Sequence, residues 1–95
     1  MSVVDVICGA IAERRLLSFT YKAEARIAEP FILGYDEHGE LVLSALQPAG
    51  GSGVGFRTFP IEGVTSLKAM DQKFSGFRPE YHRRDRFFAR IICQV

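Results

Sequence analysis

Ninety-five residues, 47% of them apolar, are enough for one packed core and not for two. A net charge of +1 excludes a strong global pull toward nucleic acid or membrane, though not a local cationic patch. No apolar run comes near the ~18 residues of a membrane span, and residues 1–5 lack the basic start and apolar core of a secretion signal, so the cytoplasm is the expected compartment.

Residues 3–15 read as a helix, because Val3, Val4, Ile7, Ile11 and Ala12 recur at three- and four-residue steps. Ser2 suits the N-cap, Asp5 completes a capping-box pattern, and the pair Arg14 and Arg15 suits the negative end of the helix dipole. From Leu17 the period drops to two. Leu17, Phe19 and Tyr21 point one way, Ser18 and Thr20 the other.

Residues 22–25 form a turn of hairpin length, followed by a second strand from Arg26 to about Tyr35. Pro30 marks that strand as an edge or as kinked. Residues 36–39 are a turn, and a third strand follows from Glu40 to Leu46. Residues 47–55, with four glycines and Pro48, read as a flexible hairpin loop. They lack the lysine and hydroxyl residue of a phosphate-binding P-loop. Phe56 to Ile61 is a fourth strand, and Val64 to Met70 a fifth.

The expected architecture is mainly β with an N-terminal α-helix: a small, strongly bent five-stranded barrel of SH3-like or Sm-like kind over residues 17–70, with the helix plugging one end or lying across the open side. Residues 72–95 form a basic, aromatic C-terminal extension of the same single domain, with six of the twelve basic residues against two acids. Within it, residues 80–93 suit either a short helix or a last strand.

Few chemistries fit this chain. Cys8 and Cys93 lie at opposite ends and read as buried free thiols rather than a disulfide. His38 and His82 belong to no cluster with metal-ligand spacing, so neither a metal nor a cofactor is expected. Ser44 and the cysteines have no histidine in relay register, which points away from an enzyme.

What stands out is arginine in apolar strands. Arg26 and Arg57 each need a counter-charge if they are buried. Either Glu24, Glu29 or Glu62 supplies it, or an anionic ligand does. Guanidinium groups hold phosphate bidentately and stack on bases, and Tyr21 offers a stacking ring or a core-edge aromatic. Lys73, Arg78, Arg83 and Arg84 are the further candidates for nucleic-acid contacts, interleaved with Phe74, Phe77 and Tyr81. Solvated arginines around a packed element, or a dimer interface, explain the same segment.

In order, a helix, Leu17-x-Phe19-x-Tyr21, Arg26-x-x-Glu29-Pro30, Gly34-Tyr35, an apolar strand, a glycine-rich loop and Arg57-x-Phe59-x-Ile61-x-x-Val64 resemble a WYL domain standing alone. The resemblance spans about residues 7–70. It implies an Sm-like barrel, a part in bacterial transcriptional or CRISPR-associated regulation, and sensing of a nucleotide or short single-stranded nucleic acid. Tyr21, Arg26 and Arg57 match the family's ligand positions. Leu41-Val42-Leu43 stands where the naming tripeptide falls, and Gly63 where a second arginine is common. A homodimer or a protein partner is expected on account of open strand edges. The competing reading is a protein-interaction or homo-oligomerisation module with a degenerate ligand site.

Overall fold

A computed structural model describes residues 2–49, 55–76 and 86–95, apart from the side chains of Pro48 and Ala49. The elements run α1 (Val3–Glu13), β1 (Arg15–Tyr21), β2 (Glu24–Asp36), β3 (Leu41–Ala49), β4 (Gly55–Pro60), a 3-10 turn (Ile61–Gly63), β5 (Val64–Lys73) and β6 (Phe88–Gln94). No helix among the described residues is long and apolar enough to cross a membrane.

The N-terminal signals act as expected. Ser2 caps α1 by accepting a hydrogen bond from the Asp5 amide at 3.1 Å. The helix ends two residues short of Arg15 because Arg14 turns left-handed, with φ 57°, and its Nη1 donates to the Ile11 carbonyl at 2.9 Å. Ile7, Ala10 and Ile11 are the buried face, while Val3 and Ala12 are exposed.

All strand pairs are antiparallel, in the order β4-β3-β2-β1-β5, with β6 added to β2. β2 is central. One flank pairs with β3. The other is shared, with β1 opposite residues 24–28 and β6 opposite residues 32–36. Pro30 is therefore no edge residue. It is buried between those two partners, beside a register shift that bends the strand.

The expected closed five-stranded barrel does not form. Among the described residues there are six strands, and β4 and β5, the ends of the path, share no ladder. The physical reason is the helix. Ile7, Ala10 and Ile11 pack into the concave face against Leu17, Phe19, Ala28, Leu33 and Leu43. A five-stranded barrel closed on its own side chains has no room for that insertion. The bend itself is real: Phe59 of β4 reaches across to Phe19 and Tyr21 of β1, with ring centres 5.0 and 5.2 Å apart.

Two further expectations are corrected. Cys8 and Cys93 form a disulfide, with Cα atoms 5.8 Å apart, joining α1 to β6. Sequence distance concealed this, because the first and last elements both lie against β2. Residue 47 is no loop: β3 continues to Ala49, because β4 supplies pairing as far as Gln47↔Gly55 and β2 as far as Ile27↔Ala49. The fifth strand runs on to Lys73, and the last strand is β6 rather than a helix. Residues 50–54 of the glycine-rich segment and residues 77–85 lie outside the described residues.

Candidate anion-binding face

Strand alternation and register bring the candidate residues to one end of the concave face. Tyr21 closes β1 and pairs with Glu24 across a two-residue turn, and Arg26 pairs with Phe19. Glu24 and Arg26, two apart on β2, share the face of Tyr21. On β4, Arg57 lies opposite Ala45, in a ladder without shifts, so it leaves the sheet on the side of Gln47 and Phe59.

Arg26 is the centre of this group, at 7% exposure. Its Nη1 donates to Oε1 of Gln47 at 3.0 Å, and Gln47 is fully buried. Its Nη2 donates to Oε1 of Glu24 at 3.4 Å, and that carboxylate is 58% exposed. The guanidinium carbon lies 5.7 Å from the centre of the Tyr21 ring and 6.0 Å from that of Phe59. Nε of Arg26 is buried with no hydrogen-bond partner among the described residues.

The partners differ in kind. The short bond goes to a neutral amide, which orients the guanidinium without cancelling its charge. The carboxylate contact is long and wet, worth no more than about 1 kcal/mol. Of the three acids considered as counter-charges, Glu24 is the one that pairs with Arg26. Glu29 lies opposite Leu46 and, three residues from Arg26, on the other face of β2. Glu62 is exposed in the 3-10 turn.

No family model matches the chain. Comparisons with curated proteins and with solved structures found no match either. The site is thus read from its own geometry.

Lys22 joins the group from the hairpin turn, with Nζ 5.6 Å from the Tyr21 ring centre. Its presence was not foreseen. Gln47 escapes the sequence pattern as well, since Pro48 and the glycines after it read as a loop. Gly63 lies against Tyr21, and a Cβ there would come within 3.0 Å of Cε1. Any larger side chain at 63 would therefore have to displace that ring. Leu41, Val42 and Leu43 sit at the other end of the β2–β3 ladder, where Leu41 faces Tyr35.

Lys73 is brought nowhere near this group. It pairs with Arg15 at the opposite end of β1, roughly 20 Å along the strand from Tyr21. Arg78, Arg83 and Arg84 lie outside the described residues. A separate groove of about 590 Å³ runs between α1 and β5, floored by Val6, Gly9, Ala10, Leu67 and Ala69. It includes none of Tyr21, Arg26 and Arg57.

Proposed function

We propose that this chain is a non-enzymatic binding module that takes an anionic ligand, a nucleotide or a short single strand, through Tyr21, Arg26 and Arg57. One observation carries the reading. Arg26 is nearly buried, yet its firm partner is the neutral Gln47, and among the described residues its carboxylate contact is the solvent-screened one to Glu24. A guanidinium kept for structure alone is better served by a close carboxylate. One oriented by an amide keeps its charge for something else.

The order of motifs that resembles WYL domains supports the same reading, with a place in transcriptional or CRISPR-associated regulation. The compartment is also a proposal. The Cys8–Cys93 disulfide weighs against the cytoplasm, since such bonds persist where conditions are oxidising. A second reading, a homodimer or protein-interaction module, is favoured by the outer edge of β5, which ends the strand order.

The test is binding of AMP and of a labelled short oligonucleotide to wild type, Arg57→Ala and Arg26→Lys, with melting followed alongside. Losing a charge-assisted hydrogen bond should weaken binding by about ten- to a hundredfold. For the oligonucleotide, affinity should fall by ~0.7 log units per phosphate contacted for each log unit of salt. Folded variants that bind as wild type does would remove this face from consideration.

A further inference from the structure

Leu67 and Ala69 of β5 face α1, since Ala69 pairs with Leu17 and both pack on the inner core. Lys68 between them pairs with Ser18 and leaves on the other side of the sheet. Among the described residues β1 is the one strand paired with β5, so the outer edge of β5 presents backbone N–H and C=O groups. α1 walls that edge. Asp5, Gly9 and Glu13, at four-residue steps on one helix stripe, line the groove of about 590 Å³. Its size falls within the usual range of ligand clefts, about 300–1,000 Å³. Gly9 opens the middle of the wall, where a Cβ would meet nothing within 4 Å.

We propose, on the protein-interaction reading above, that this groove takes an extended segment of a partner protein, which adds as a short strand to β5 with apolar side chains against α1 and a carboxylate between them on Lys68. The edge selects an extended backbone, because a strand is what pairs with a row of N–H and C=O groups. Alternation then sets the side chains. Two residues of the added strand, one apart, enter the groove beside Leu67 and Ala69, and the residue between them stands on the face of Lys68. Charge sets the kind of that middle residue. Of the two cations lining the groove, Arg15 is already held by Glu13 at 3.4 Å and by Asp71 at 3.5 Å. Lys68 is exposed and makes no ion pair among the described residues.

A second copy of this chain fits the edge less well. Pairing β5 with itself so that the two Leu67–Ala69 stretches coincide sets Lys68 opposite Lys68, and like charges directly opposite repel. The added strand is also short. Register shifts lie on both sides of the pairs Leu17↔Ala69 and Ser18↔Lys68, and Ser66 takes φ 54°, so the regular edge ends within a few residues.

The experiment selects peptides from a displayed random heptapeptide library on the folded, disulfide-bonded wild type. One selected peptide is then synthesised and titrated by fluorescence anisotropy against wild type, Gly9→Leu and Lys68→Glu. Both positions are exposed, so the variants should fold, and melting checks this. Selected peptides should carry Asp or Glu between two aliphatic residues. Gly9→Leu fills the groove and should weaken binding by about tenfold. Lys68→Glu should weaken it by about three- to tenfold, and a peptide with lysine in place of its acid should recover that loss. Amide exchange across Val64–Lys73 should slow when the peptide binds. Peptides that bind both variants as they bind wild type would overturn the groove and leave a protein-interaction module that uses another surface. A library that yields no enriched peptide would overturn the proposal, and sedimentation of the free protein would then decide whether the protein-interaction reading survives as a homodimer.

Discussion

Lys22 and Ala23 form the tip of the β1–β2 hairpin with φ of 50° and 62°, a conformation that suits Asn-Gly better than a lysine and an alanine. Each such residue costs about 1–2 kcal/mol. Ala23→Gly should therefore raise stability by about 1 kcal/mol, seen as a melting temperature higher by ~4–8 °C. Gln47 makes the opposite case. Its side chain is fully buried and holds Arg26, so Gln47→Ala strands a charged donor and should cost about 1–3 kcal/mol in chemical denaturation. The apolar strand setting of the two arginines and the resemblance to WYL domains singled out Tyr21, Arg26 and Arg57, and the strand ladders put them on one face. Neither signal could mark Gln47, because Pro48 and the glycines after it carry the local signature of a loop. The ladders to β4 on one side and β2 on the other override that signature.

At the scale of elements, the strands and the capped helix were legible because period two and period 3.6 differ within a few residues. The last strand was not, since Phe87, Phe88, Ile91 and Ile92 suit either period. What settles β6 is its seat on β2. Gly34 lets it dock there: a Cβ at that position would collide with the backbone carbonyl of Arg90 and lie within 3.0 Å of the Phe88 ring. Backbone cannot yield as a flexible side chain does. Gly34→Ala should push β6 off the ladder, costing about 1–3 kcal/mol or more, and should raise amide exchange across Phe88–Gln94 before the rest of the sheet. Unchanged protection in β6 would mean that the strand is held by its side chains instead.

For the whole molecule, the question left open by the sequence was how a bent sheet of short strands finishes itself. Closure into a barrel was the economical expectation, since alternation says which side chains share a face but not what fills the concavity. The chain uses α1 as filler and leaves β4 and β5 unjoined. The Cys8–Cys93 bond then fastens the first element to the last across 85 residues of sequence. A crosslink closing a loop of that length removes unfolded-state entropy worth about 4–5 kcal/mol in the chain-entropy model. Domains of this size have total stabilities of about 5–15 kcal/mol, so the bond is a large share. Cys8→Ser/Cys93→Ser, or reduction of the wild type, should lower the melting temperature by on the order of 20 °C. The unreduced, denatured protein should show no titratable thiol, and the reduced protein two. A variant that melts with wild type would place the stability of the fold in the packing of α1 alone. The expected loss would instead mean that the apolar face of α1 cannot hold the open sheet by itself, and that the redox state around the protein sets how much of it is folded.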